Sequence, residues 1–400
     1  MLLTFQFIFP SLQAIEINSM NMNILRYFMI VVFAATISLI TPLKSAPGYE
    51  MDDDPENPER GTINALTCYP AEIADLIFSQ TKDLPNQTQL SIAIIQHDLT
   101  TYYGVIKEND SIKPADNQEK VFEAGSITKV FTSTLLASLV TEGKIGLEDS
   151  INPYYPFPFK EQREITFLTL ANHTSGLPRL PVNLDLTDAS NPYKRYTEKE
   201  LEDYLKRLMT FENKPATTYT YSNLGAGLLG YTLGLSQGRS FEELLQERVF
   251  DRYGMHSSYT RSADAGDRLV RGLNADGDTT SNWDFDVLAG GGGVLSTTAD
   301  LGRFAMAQFN PENRELALTR VPTFVVHDSM KTGLGWHILQ SEAGQKLFWH
   351  NGGTGGYSSS MTINTADQVA VIILSNVSAF HPASGNIDRL CFDLIRHAGE

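Results

Sequence analysis

Cysteine is nearly missing. Cys68 and Cys391 are the only two in 400 residues, which excludes a disulfide-built scaffold and leaves no C-x-x-C or Cys/His spacing for a structural zinc site. Positive charge is also short. Lys and Arg total 31 against 47 Asp and Glu, for a net charge of -16, and no Lys/Arg-rich run occurs, so the chain offers no nucleic-acid surface. Charged residues make up only 20% and apolar ones 42%, which rules out disorder and supplies a sizeable core. Long apolar runs are confined to Tyr27 to Ile40, which is short for a membrane span. That run follows Arg26 and precedes Thr41, Pro42, Ser45 and Ala46, in the order of a signal peptide over residues 1–46. Met20 or Met22 would give a more ordinary signal length. If the segment is kept as an anchor instead, it is the only membrane contact expected. Either way the globular part is expected to be exported, periplasmic or secreted.

Residues 47–66 read as an acidic linker, because Glu50 to Glu59 packs acids and prolines together. Folding is expected from near Thr67. A short helix follows Pro70, and Leu90 to Gln96 with Thr101 to Lys107 reads as a hairpin joined by His97-Asp98-Leu99-Thr100. From Ser126 to Val140 apolar residues fall nearly all round the helical wheel, the mark of a buried helix, and Gly143 ends it. Further helices are expected over Glu198 to Met209, Leu224 to Leu235, Phe241 to Val249 and Thr298 to Gln308. The end returns to strands, at Gly333 to Gln340, Gln345 to His350, Ser358 to Asn364 and Val369 to Ser375, and closes on a helix from Asn386 to His397. Strands at both chain ends must meet in space to bury their faces. The expected fold is therefore α/β (α+β): an antiparallel sheet flanked by helices, built from 67–140 and 325–400, with an inserted, mostly helical domain over 141–324.

Three short motifs carry chemistry. Ser126-Ile127-Thr128-Lys129 puts a hydroxyl and an amine three residues apart, on one face of a helix. Serine needs a base within hydrogen-bond reach to act as a nucleophile, and burial pushes a lysine toward its neutral, basic form. Ser79-Gln80-Thr81-Lys82 has the same spacing, but it ends a helix where Ser126 opens a buried one. As an alternative, Ser126 is simply a helix cap. In Tyr221-Ser222-Asn223, before the next helix, the phenol would relay protons and the amide would hold a substrate carbonyl; otherwise the segment is a capped loop. His350-Asn351-Gly352-Gly353 ends a strand, and its glycines would let a substrate backbone approach as an added strand. The alternative is a hairpin turn. Gly225 to Gly230 matches a dinucleotide fingerprint without the buried strand that should precede it, so it reads as helix-packing glycine. Gly290 to Gly293 lacks a following Gly-Lys-Ser/Thr and reads as a plain loop.

In this order the three motifs resemble the serine β-lactamase and penicillin-binding protein superfamily, in the branch of the class C β-lactamases with their D-alanyl-D-alanine carboxypeptidase and esterase relatives. The resemblance covers about residues 67–398 and is supported by Leu168 to Pro178, with Asn172-His173-Thr174-Ser175-Gly176-Leu177-Pro178, and by Ala289 to Arg303. It implies an exported serine hydrolase that works through an acyl-enzyme, acting on D,D-peptides of cell-wall type or on small esters, with β-lactams as related ligands. Ser126 would be the acylated nucleophile, with Lys129 and Tyr221 as the proton-transfer pair. Asn223, His350, Gly352 and Gly353 would bind substrate, and the N–H groups of Ser126 and Gly353 would form the oxyanion hole. No metal or other cofactor is implied. The competing reading is a binding protein that acylates without turnover. Two positions depart from the β-lactamase pattern: His350 stands where those enzymes carry Lys, and no glutamine follows Gly-Leu-Pro at Arg179-Leu180. An imidazole of ordinary pKa ~6.5 would charge only as pH falls, favouring carboxylate substrates in acid. The resemblance also places the terminal segments side by side, so a Cys68–Cys391 bridge is expected.

Overall fold

The structure, a computed structural model, describes residues 61–341 and 344–399. The signal segment and residues 47–60 of the acidic linker lie outside the described residues. Thirteen strands are β1 (Ile63–Asn64), β2 (Gln89–Gln96), β3 (Leu99–Tyr102), β4 (Val105–Glu108), β5 (Ser111–Pro114), β6 (Phe122–Glu123), β7 (Leu295–Ser296), β8 (Phe324–His327), β9 (Met330–Thr332), β10 (His337–Gln340), β11 (Lys346–Gly353), β12 (Ser358–Asn364) and β13 (Val369–Ser375). All but β6 and β7 join one sheet in the order β1-β5-β4-β2-β13-β12-β11-β10-β9-β8, with β3 also on β2. Strands from both chain ends meet at β2 and β13, where Ile92 faces Ile373 across an antiparallel register. Among the described strand pairs only β1 on β5 is parallel. The fold is a mixed α/β one, with this sheet flanked by helices.

Both faces of the central strands are covered, which is why β2 and β13 read as continuous apolar runs and not as alternating ones. Leu90, Ile92 and Ile94 share the back layer with Val371 and Ile373, while Ala93, Ile95, Ile372 and Leu374 point the other way. Helices α1 (Ala71–Thr81) and α5 (Asn386–Ala398) close the back. Helix α5 buries Ile387, Leu390, Cys391, Leu394 and Ile395 at helical spacing, each worth roughly 1.5–3 kcal/mol when removed from water. On the front lie α2 (Thr128–Thr141) and α4 (Thr298–Ala307), which meet through an edge-to-face pair of Phe131 and Phe304 at 4.8 Å. Helix α3 (Asn223–Gln237) packs beside α2.

Several expectations need correction. Ile63–Asn64 enters the sheet ahead of Thr67; both residues are exposed, so the pairing rests on backbone bonds and leaves no apolar pattern to read. The single strand expected over Thr101 to Lys107 is two strands, β3 and β4. The chain breaks at Gly104, whose carbonyl accepts from Tyr69 Oη at 2.6 Å and from the Ala115 N–H at 2.8 Å. The helices expected to Met209 and Val249 widen into π-type turns over Tyr204–Leu208 and Gln246–Phe250. The Cys68–Cys391 bridge is absent and both thiols are free. Helices α1 and α5 do pack together, but Cys391 faces the sheet, 3.3 Å from Thr362 Oγ1, whereas Cys68 is exposed ahead of α1.

Candidate active site

The chain reaches Ser126 under tight steric control. Strand β6 pairs with β7, and the next residues form one 3-10 turn, Gly125–Ile127, that runs into α2. Gly125 has φ +52°, and a Cβ there would lie 2.5 Å from the Gly353 nitrogen. Gly352 likewise presses on the Ala124 carbonyl oxygen. Only glycine permits both the left-handed backbone and this approach of β11 to the serine turn. Ser126 makes no capping bond to α2, whose N-cap is Ile127, so the helix-cap alternative does not describe it.

Lys129 is 2% exposed. Its Nζ lies 2.9 Å from Ser126 Oγ, 2.9 Å from Asn223 Oδ1 and 2.6 Å from the Gly291 carbonyl oxygen. Burial, helped by the nearby Arg179 charge, holds its pKa well below that of an ordinary lysine. A neutral amine has two N–H donors and one lone pair. The amide oxygen and the carbonyl oxygen can only accept, so they take the donors, and the lone pair is left for the Ser126 hydroxyl proton. The loop over Gly290 to Gly293 thus supplies Lys129 with an acceptor. Its glycines also pack on the helix, since Gly290 and Gly230 have room for no Cβ between them, which agrees with the packing reading of Gly225 to Gly230.

Tyr221 hydrogen-bonds with Ser126, and burial raises its pKa to about 12, so at neutral pH it is a phenol. Its ring centre is 4.8 Å from Lys129 Nζ and 5.1 Å from the Arg179 guanidinium carbon. Ser222 caps α3: its Oγ accepts from the Gly225 N–H at 2.8 Å and donates to the Pro178 carbonyl at 2.7 Å. The cap fixes Tyr221 and Asn223 on either side. Asn172 to Pro178 wraps this motif, with the His173 carbonyl accepting from the Thr220 N–H at 2.7 Å and His173 Nδ1 accepting from the Ser222 N–H at 3.2 Å.

His350, Asn351, Gly352 and Gly353 all lie within β11, and the reversal comes later, where the Thr354 N–H donates to the Tyr357 carbonyl. The hairpin-turn alternative therefore fails. His350 is 1% exposed, and burial, with neighbouring His337 and Lys129, holds its pKa well below 6.5. Burial thus works against the expected charging of His350 near its ordinary pKa; its Nδ1 lies 2.6 Å from the Asn351 carbonyl oxygen. Asn351 points the other way, donating to Asp388 Oδ2 of α5 at 2.8 Å.

Sequence reasoning missed four members of this cluster. His337 stacks on His350 at 5.0 Å, lies 2.9 Å from Tyr219 Oη, and is lowered by burial to about 4. His173 lies 4.5 Å from the Tyr221 ring, and burial holds its pKa well below 6.5; the sequence marks it only as part of a supporting motif. Arg179 had been noted only for the glutamine it lacks. Glu123, three residues before Ser126, accepts from Asn282 Nδ2 at 2.8 Å and the Trp283 N–H at 2.9 Å, and burial raises it to about 7. No local pattern marks these residues, because each acts through partners distant in sequence. Among the described residues no group of three or more His, Cys, Asp or Glu is placed to hold a metal ion.

The Beta-lactamase family profile matches residues 86–390. The chain belongs to the beta-lactamase family. It is 31% identical over 251 residues to Beta-lactamase-like protein 4 of Dictyostelium discoideum, which covers 57% of the chain and only 42% of that relative's length. It is 26% identical over 322 residues, 73% of the chain and 80% of the relative, to D-alanyl-D-alanine-carboxypeptidase/endopeptidase AmpH of Escherichia coli. A solved beta-lactamase/D-alanine carboxypeptidase from Pseudomonas syringae shares the fold, with a TM-score of 0.68 at 24% identity over 82% of this chain and 99% of that one. This beta-lactamase family member is a serine hydrolase.

Proposed function

We propose that this serine hydrolase is an exported acyl hydrolase that cleaves D,D-peptides of cell-wall type, or small esters, through an acyl-enzyme on Ser126. The Lys129 amine carries the reading: two of its neighbours can only accept its protons, and the third is the Ser126 hydroxyl. Ser126 Oγ attacks the substrate carbonyl, a C–O bond forms, and the hydroxyl proton passes to Lys129. The N–H groups of Ser126 and Gly353 hold the oxyanion. As the C–N or C–O bond to the leaving group breaks, the Tyr221 phenol donates to it and is reprotonated from Lys129. Water then repeats the sequence on the ester, releasing acid and serine. Asn223 holds the substrate amide, and His350, Gly352 and Gly353 present the β11 edge. The nucleophile and the strand come from 67–140 and 325–400, and Tyr221 and Asn223 come from the helical part, 141–324, so substrate would lie between the two.

Exposure to a fluorescent penicillin, followed by intact mass over time, tests this. An adduct that forms on wild-type protein, is absent from Ser126→Ala and decays supports the reading. A stable adduct would instead make the protein a penicillin-binding one without turnover, and absence of any adduct on wild type counts against acylation.

A further inference from the structure

Burial works against charge on most groups around Ser126: it lowers the pKa of Lys129, His173, His337 and His350 and raises that of Tyr221. Arg179 is the exception among the described residues of this cluster. Its guanidinium lies 5.1 Å from the centre of the Tyr221 ring, and that phenol bonds Ser126. Its place is fixed from behind: its carbonyl accepts from the Asn223 N–H at 3.0 Å and the Leu224 N–H at 3.2 Å, at the start of α3. Some other arginines are ion-paired, Arg248 with Glu142 and Arg252 with Glu315, and others, such as Arg268 and Arg389, are held by neutral side chains. No described carboxylate lies within ion-pair distance of Arg179, although the chain carries a net charge of -16.

A guanidinium beside the nucleophile with no carboxylate partner of its own is free to take an anion from outside, and it locally offsets the negative charge of the chain. We infer that Arg179 is the anion-recognition group of this site, and that the preferred substrate carries a carboxylate close to the bond that breaks, as a peptide with a free C-terminus does and a neutral ester does not. His350 stands where β-lactamases carry a lysine, and burial works against its charging, so the charge is left to Arg179. The planar fork suits a carboxylate with two parallel hydrogen bonds. This inference deepens the acyl-hydrolase reading and rests on it for the identity of the reacting centre.

The test separates recognition from chemistry. Binding of acetyl-D-alanyl-D-alanine and of its C-terminal amide is measured on Ser126→Ala protein, alone and combined with Arg179→Met or Arg179→Lys. The carboxylate form should bind roughly tenfold tighter than the amide. That advantage should shrink as salt is raised, vanish with Arg179→Met and be partly kept with Arg179→Lys. An equal preference in the Met variant, or no preference or no binding of either peptide in the parent, overturns the inference. Acylation of the wild-type chain by p-nitrophenyl acetate, read by mass, is scored separately. Its failure would strike the acyl-hydrolase reading while leaving the binding ratios to judge Arg179.

Discussion

The back and front of the sheet solve opposite problems. Behind it, α1 and α5 close an apolar layer in which Ile77, Ile92, Ile373 and Leu390 touch little but one another. In front, between β11, α2 and α3, the chain buries an amine, three imidazoles and a carboxylic acid in close order. Several of their atoms lack any partner, among them His173 Nε2, His337 Nδ1, His350 Nε2 and Glu123 Oε2. Such burial costs free energy that a packed layer does not. The stable face holds the costly one in shape, and Asp388 on α5, reaching through the sheet edge to Asn351, is a direct link between them.

If the front is built for chemistry, its substitutions should cost activity far more than folding. Lys129→Met should slow acylation of Ser126 by about a thousandfold or more, while near-ultraviolet circular dichroism stays native. Ser126→Ala should abolish labelling, and Ser79→Ala should do nothing: Ser79 Oγ is exposed and donates to the Leu76 carbonyl within α1. A Lys129→Met protein that acylates at the normal rate would break the contrast at its strongest point.

The back should behave in reverse. Leu390 is fully buried against the sheet, so Leu390→Ala should remove about 2–5 kcal/mol of stability in urea titrations, with the rate per folded molecule preserved and the cost nearly independent of pH. This is the face the sequence made legible: β12 and β13 match the expected strands residue for residue, and α5 differs by one position. The front was legible only where three motifs stood in order. Glu123, His173 and His337 escaped because burial and long-range pairing, not spacing, give them their properties, and Arg179 because the ring it faces, Tyr221, is distant in sequence. The β8 and β9 strands escaped for a related reason, being short, partly exposed and weakly patterned.

Glu123 offers a test of the same contrast through pH. Its carboxyl is raised from 4.5 to about 7 by burial, so between those values the folded chain keeps a proton that the unfolded chain has lost. Stability attributable to this group therefore falls as pH rises through that window, by up to about 3 kcal/mol at 1.36 kcal/mol per unit. Glu123→Gln keeps an acceptor for Asn282 and the Trp283 N–H and removes the titration. The variant should gain on wild type as pH goes from about 5 to about 8, which urea midpoints at each pH would show. A difference flat with pH would mean that the front stores no such cost at Glu123.

The smallest effect belongs to the cysteines. Cys68 is exposed and unbridged, whereas Cys391 sits in the back layer with its thiol pushed by burial to about 12. Native protein should therefore give one thiol that reacts promptly with an aromatic disulfide reagent, and the second should appear only on unfolding, since the thiolate is the reacting form and the reagent cannot reach it. Cys68→Ser should shift stability by no more than about 0.5 kcal/mol, as expected of a surface change that breaks no contact. A bridge closing so long a loop would be worth roughly 4–5 kcal/mol in the chain-entropy model, a loss too large to miss. If the serine variant or a reductant weakens the protein by that much, the back layer owes part of its stability to a covalent link, and the view that apolar packing alone closes it fails.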